Sequence, residues 1–380
     1  MKSLPPTLAF GPDHDRLRAE IRSWVAGNDP GPAPVDFGER VTALTEWQRR
    51  LHGAGFIGLS WPVEHGGRDL GIGAEAILCE ELSRSSMPEL INRIAVYTIA
   101  PCFMQWGSDE QIGRFFPGML DASEIWCQGF SEPDAGSDLA GIRTRAVVDG
   151  DELVVTGQKV WTSRALWSKW CALLVRTSGS PGSHKGLSLL ALDMESPGVT
   201  VSPLYQVLHE AHFSEVFLDE VRVPVANVVG PVDEGWKVAM STMEFERGLF
   251  VLERQIGLQK RLDDLEAECE KQGLAATAAE RLGELRAALG VLRAQTYRTL
   301  AAQEAGTGAR GATSVDKLLL TDCYQGLFAA AFDLLGGPGR LWADGWSHDL
   351  LESRSVGIYS GTTQIQRNVV ATQLLGLPRG

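Results

Sequence analysis

TRAVVDGDELVVTGQKVWTS, residues Thr144–Ser163, sets Asp149-Gly150 between two runs of β-branched residues, the pattern of a tight hairpin. Outward from it, WCALLVRT (Trp170–Thr177), GLSLLALDM (Gly186–Met194) and SEVFLDEVRVP (Ser214–Pro224) are further short apolar runs, separated by Gly, Pro, Asp and Ser. Strands that follow one another without intervening helices predict an antiparallel all-β unit, a small barrel or sandwich, and exclude a doubly wound nucleotide fold.

The flanks read differently. From Asp13 to Asp121 the apolar period is helical. Trp47, Leu51 and Ala54 lead into the turn-rich GFIGLSWPVEHGGRDLG, and a second helical run covers Ala74–Ser83. From Asp233 onward no proline occurs until Pro338, and the segment starting at Arg261 is rich in Ala, Leu, Glu and Arg, as long bundle helices are. The predicted fold is α+β and multidomain: an N-terminal all-α domain (1–124), a central antiparallel β-barrel or sandwich domain (125–231) and a C-terminal helical bundle (232–380).

Composition bounds the function. The chain has 380 residues, with 48 Asp plus Glu against 35 Lys plus Arg, a net charge of -13 that argues against nucleic-acid binding. No uncharged apolar run approaches the roughly 18 residues that would span a bilayer, and residues 1–16 lack the apolar stretch of a signal peptide. The six cysteines are scattered, without a CxxC pair, so a reduced, cytoplasmic protein is expected.

Some motifs are decoys. GTGARG (Gly306–Gly311) has the letters of a dinucleotide fingerprint but follows a helix, so an interhelical loop is expected. His209 and His212 are not completed by further ligands, and no metal site is expected. Three signals stand apart. GFSEPDAGSDLAG (Gly129–Gly141) crowds Gly, Ser and acidic residues, which suits either close approach to a ligand or a polar interdomain loop. In GQKVWTS, Trp161 lies in a strand pattern, where a Trp serves a core more often than a cofactor. In the helix beginning near Gly235, Trp236, Ala239, Met243, Glu246 and Phe250 alternate steps of three and four, placing Glu246 on a face otherwise apolar. A carboxylate there is either a desolvated general base or paired with a neighbouring cation such as Arg247.

In order along the chain, WPVEHGG, EELSRSS, SEPDAGSDLAG, GQKVWTS, FLDEVRVP and the C-terminal SGTTQIQRNVV (Ser360–Val370) resemble the acyl-CoA dehydrogenase family over nearly the whole length. The likeness is to actinobacterial-type members that carry the base on the long C-terminal-domain helix. It implies FAD, an acyl-CoA substrate and α,β-dehydrogenation to the 2-enoyl-CoA, with flavin N5 as hydride acceptor. Carried over residue by residue, Gln128, Phe130, Ser131, Trp161, Ser163, Thr362 and Gln364 would hold the flavin. Gly336 and Gly337 would meet the adenosine half of a neighbouring subunit's FAD. Ser137, Arg247 and Tyr359 would contact the substrate, and the backbone N–H of Ser360 would bind the thioester carbonyl.

Two departures qualify the likeness. Ser360 stands where many members carry the catalytic Glu before Gly-Thr, and Glu246 matches the position other members use instead. It is therefore the base the resemblance implies. Between Arg261 and Glu280 the chain has LDDLEAECEKQGLAATAA, without the family's Arg-x-x-Phe element. Either a paralogous subunit supplies that contact in a hetero-oligomer, or Arg298 or Arg310 replaces it in a homo-oligomer. An electron-transfer flavoprotein is the acceptor implied. An acyl-CoA oxidase and a non-catalytic partner subunit are the competing readings.

Overall fold

The structure is a computed structural model, and it describes residues 10–208, 212–336 and 345–378, without the side chains of 243–247. Contacts group the chain into two compact units. One comprises the chain through Asp29, Leu70–Met87 and everything from Arg247 on; the other comprises Pro30–Asp69 and Pro88–Glu246.

The second unit carries α2 (Phe37–Gly53), α4 (Ala100–Trp106), α5 (Asp109–Asp121) and the sheet. Helix α5 opens with a capping box, Ser108 accepting from Gln111 N while the Gln111 side chain accepts from Ser108 N. The strands are β1 (Trp126–Gly129), β2 (Arg145–Asp149), β3 (Glu152–Ser163), β4 (Trp170–Arg176), β5 (Leu187–Asp193), β6 (Val199–Leu204), β7 (Phe213–Pro224) and β8 (Val228–Val229). The hairpin at Asp149-Gly150 is present, with Asp149 facing Glu152 and Gly150 at φ 67°.

The eight strands form one sheet in the order β6-β7-β3-β2-β4-β5-β8, with β1 also on β4. The expectation of a purely antiparallel unit is corrected at β4. Both β1 and β2 pair with it in parallel, β1 over Trp126–Gly129 and β2 at Arg145 alone. The sequence between β1 and β2 is a loop rather than a hairpin turn, which leaves β1 free to enter the sheet in the parallel sense. Strand β4 is buried along its whole length, which explains its unbroken apolar run.

The first unit is helical: α1 (Pro12–Gly27), α3 (Gly71–Arg84), α6 (Gly235–Lys271) from Arg247 on, α7 (Ala275–Glu304), α8 (Ala312–Leu335), α9 (Trp346–Val356) and α10 (Thr363–Val369). Leu262 and Leu265 of α6, Leu289 and Leu292 of α7, Leu320 and Leu327 of α8 and Trp346 of α9 share one core. GTGARG falls in the α7–α8 loop, as read. None of the six cysteines forms a disulfide among the described residues.

A charged seam joins α1, α3 and α7 inside this unit. Arg18 donates to Glu80 at 2.8 Å and also bonds Glu81, Arg22 Nε donates to Glu81 at 2.6 Å, and the Tyr297 hydroxyl donates to Glu80 at 2.8 Å. Arg18, Glu80 and Glu81 are buried, and such ions hold only because each is met by opposite charge and hydrogen bonds, while Arg22 reaches in from a half-exposed position.

Among the described helices α8 alone is long and apolar enough to cross a membrane; half of its most apolar window is buried inside the unit. It is a core helix, packed on α7, α9 and α10, and it buries Asp316 and Lys317. Thr299 Oγ1 donates to Asp316 Oδ1 at 3.1 Å, while Oδ2 has no partner among the described residues. Burial pushes the Asp316 carboxyl up to about 6 from 3.8. A raised carboxyl favours the fold below its unfolded value, and that contribution is lost as pH rises through about 6. Asp316→Asn should therefore raise Tm at pH 8, with the gain shrinking at pH 5; thermal melts at both values check it, and a constant offset would sink the account.

Candidate active site

In the sheet-bearing unit, β1 runs into the SEPDAGSD loop beside β3. A Cβ at Gly129 would meet Cys171 Sγ at 2.9 Å and Leu173 Cδ1 at 3.0 Å, so only glycine lets β1 lie this close to β4. Gln128 is half-buried and Phe130 buried; Ser131 is half-buried, and its carbonyl accepts from Val160 N at 3.0 Å. That bond lays the loop against β3. Ser137 sits exposed farther along the loop.

The loop's shape comes from two residues that sequence reading did not single out. Glu132 is buried and accepts from Arg143 N at 2.6 Å, Thr144 N at 2.9 Å and Lys159 Nζ at 2.8 Å. Burial works to raise this carboxyl, but the Lys159 charge and these hydrogen bonds together hold it below the usual range. Arg176 gathers the far end, donating to Ala140 O at 2.7 Å, Ile142 O at 3.1 Å and Lys185 O at 3.2 Å. The available signal was a charged residue within a strand pattern: Lys159 in VVTGQKVW, and Arg176 ending the apolar run WCALLVR.

Strand β3 slips register against β7 between Val155 and Gly157 and again between Lys159 and Thr162. The second irregularity holds Trp161 at φ 60°, and its indole is 56% exposed. A core role for Trp161 is thereby excluded: the bulge turns it outward, and its ring touches Phe213 edge-on at 5.8 Å. Thr162 points inward, its hydroxyl buried without a partner among the described residues. Ser163 is half-buried and pairs with Phe213 across to β7. The hydroxyls of Ser131 and Ser163 make no hydrogen bond among the described residues. Phe115 and Phe116 are plain core.

In the helical unit, α9 ends at Val356 and the chain turns through Gly357–Thr362 into α10. Lys317 Nζ donates to Val356 O and lies 4.5 Å from the Tyr359 ring centroid, while Phe250 meets the same ring edge-on at 6.0 Å. Ser360 and Gly361 both take positive φ, 52° and 87°. Thr362 caps α10, its Oγ1 accepting from Ile365 N at 3.2 Å. Gln366, fully buried, donates to Ser360 O at 2.8 Å and Gly361 O at 3.4 Å and so locks the turn. Nothing in the sequence sets it apart from Gln364, two residues earlier, which is exposed. Gly336 caps α8 at φ 82° with open space where a Cβ would stand. Gly337 and the side chains of Glu246 and Arg247 lie outside the described residues.

His348, Asp349 and Glu352 approach one another closely enough to hold a metal ion. Asp349 is met by Arg261 at 2.7 Å and Glu352 by Arg254 at 3.7 Å, so these carboxylates belong to ion pairs.

The exposed Trp161 indole and the uncommitted hydroxyls of Ser131 and Ser163 fit a flat, heteroatom-edged ring such as an isoalloxazine, which wants one stacking surface and donors along its rim. Family models match residues 11–123 (acyl-CoA dehydrogenase, N-terminal domain), 127–221 (middle domain) and 233–375 (C-terminal domain). The chain is 37% identical to the acyl-CoA dehydrogenase IpdE1 of Mycobacterium tuberculosis, over 97% of this chain and 98% of that one. It is 36% identical to the acyl-CoA dehydrogenase FadE34 of the same organism, over 96% of this chain and 49% of that one. Among solved structures, the Tcur3481-Tcur3483 steroid ACAD superposes with a TM-score of 0.84 at 26% identity, covering 99% of this chain and 100% of that one. The ChsE4-ChsE5 complex from Mycobacterium tuberculosis gives the same score, identity and coverage. With all three domain models matched in order, the chain belongs to the acyl-CoA dehydrogenase family, oxidoreductases acting on CH–CH groups.

Proposed function

We propose that this protein carries out FAD-dependent α,β-dehydrogenation of an acyl-CoA thioester to the 2-enoyl-CoA, with Glu246 as the base that removes the α-proton. The observation that carries the reading is Trp161, held outward at φ 60° and more than half exposed, next to Val160, which bonds the Ser131 carbonyl, with the Ser131 and Ser163 hydroxyls making no hydrogen bond among the described residues. The side of the flavin site contributed by the sheet is assigned to Gln128, Phe130, Ser131, Trp161 and Ser163, with Thr362, Gln364, Gly336 and Gly337 as further cofactor residues. Bound FAD would supply the acceptor for the β-hydride. The chain's own part is to stack and orient the ring through Trp161, to hold its rim through the two hydroxyls and to take the α-proton on the Glu246 carboxylate. The Ser360 N–H is assigned to the thioester carbonyl, where a backbone donor polarises the α C–H bond whatever side chain it carries. Ser137, Arg247 and Tyr359 are assigned to the acyl-CoA.

The domains are assigned as 1–124, 125–231 and 232–380, the location as cytoplasmic and the electron acceptor as an electron-transfer flavoprotein. The solved relatives described as a steroid ACAD and as a ChsE4-ChsE5 complex support a bulky, steroid-type acyl group and a hetero-oligomer with a paralogous subunit. The test is the flavin-to-subunit ratio of the protein purified alone and with candidate partner chains, followed by anaerobic bleaching with a panel of acyl-CoAs. About one FAD per chain without a partner would establish a self-sufficient homo-oligomer. Flavin gained only with a partner would establish the hetero-oligomer. A protein that stays colourless with every partner sinks the catalytic reading.

A further inference from the structure

The loop and strand that carry Ser131 and Trp161 rest on one buried ion pair. Lys159 has no exposed surface and Glu132 is 8% exposed, so neither is open to a ligand. Lys159 Nζ donates to Phe130 O at 3.1 Å and to Glu132 Oε1 at 2.8 Å. One ammonium therefore grips the backbone immediately before Ser131 and the side chain immediately after it. Val160, the next residue on β3, donates to the Ser131 carbonyl at 3.0 Å. Glu132 in turn ties this point to the N–H groups of Arg143 and Thr144, where the loop re-enters the sheet. The bulge that turns Trp161 outward begins at Lys159.

The pair is an expensive way to fill a core. Burial pushes Lys159 down to about 8, against the pull of Glu132, and apolar replacements of such pairs are often neutral or stabilising. What an apolar pair would not supply is direction. Together Glu132 and Lys159 hold three backbone groups around Ser131, the Phe130 carbonyl and the N–H groups of Arg143 and Thr144, and are joined to each other.

We propose that Lys159 and Glu132 are positioning residues for the flavin: without touching it, they hold Ser131 and the Trp161 bulge in the shape that binds it. This rests on the cofactor reading given above. The test is FAD titration of flavin-stripped protein, in whichever oligomer it purifies, for wild type, Lys159→Met, Glu132→Gln and the double variant. Affinity is read from flavin fluorescence quenching, at a temperature where far-UV circular dichroism shows each protein fully folded. Each single change should weaken FAD binding by about 10–100-fold, as loss of an orienting partner behind a ligand does elsewhere, and shift the visible band of the flavin that remains bound. The double variant should be no weaker than the worse single one, because the two act as a unit. Should Lys159→Met fail to fold, the near-isosteric Glu132→Gln carries the test. A folded variant of either residue with wild-type FAD affinity overturns the inference alone. A wild-type protein that takes no FAD overturns the cofactor reading together with it.

Discussion

Glu246→Gln is expected to purify with its flavin and to lose turnover by about 10²–10⁴-fold, the usual worth of a positioned general base. The change is nearly isosteric and removes only the ability to accept a proton. Its register on α6 favours this residue. On α6, Ala239 lies seven residues before it and Phe250 four after, and both are buried. The serine at 360 cannot serve in its place. A hydroxyl has no tendency to hold the α-proton, and that residue sits in a turn at φ 52° whose carbonyl is already bonded to Gln366. The decisive measurement is anaerobic, single-turnover flavin reduction by whichever acyl-CoA bleaches the wild type. A slow variant with unchanged flavin content and little change in substrate affinity supports the base. Reduction at the wild-type rate would show that the proton leaves by another route.

Gly361→Ala is expected to lower Tm and cut turnover by at least about tenfold. Gly361 sits at φ 87°, where a Cβ costs roughly 1–2 kcal/mol by steric contact with the backbone. That Cβ would also run into Nε2 of Gln366. A side-chain end normally yields cheaply, but this amide is fully buried and bonded to Ser360 O and Gly361 O. Displacing it leaves buried polar atoms unmet, at about 1–3 kcal/mol. It also releases the turn that aims the Ser360 peptide. The double variant Gly361→Ala/Gln366→Ala removes the collision and should recover part of the Tm but little of the turnover, since the clamp stays broken. Melting curves and steady-state rates of the wild type and the two variants separate the effects. If Gly361→Ala alone kept both wild-type Tm and wild-type turnover, the clamp would have no role.

The helical, β, helical order was legible in the amino acids because each texture carries its own period. Branched residues flanking Asp149-Gly150 declare a hairpin, and Ala/Leu/Glu/Arg-rich segments declare long helices, through interactions of near neighbours in the chain. The family likeness was legible for a related reason, since SEPDAGSD, GQKVWTS and SGTTQIQR are contiguous strings. What the local pattern could not hold was anything made by partners far apart in sequence. Strand β1 joins β4 in parallel across more than forty residues. The strand pattern alone favoured a core role for Trp161, and only the family resemblance put it on the flavin, because alternation assigns faces only while register is kept. The slip against β7 between Lys159 and Thr162 turns it out to solvent. Glu132 and Lys159, 27 residues apart, looked like an acidic loop residue and a stray charge in a strand until folding closed them to 2.8 Å. Gln366 was one polar residue among several on a short helix, and only burial shows that its amide holds the turn at Ser360. The sequence by itself determined which segments form and which residue types are candidates for the site. The tertiary structure alone decided how those residues are held, because buried charges and buried amides take their meaning from groups that only the fold brings within hydrogen-bonding distance.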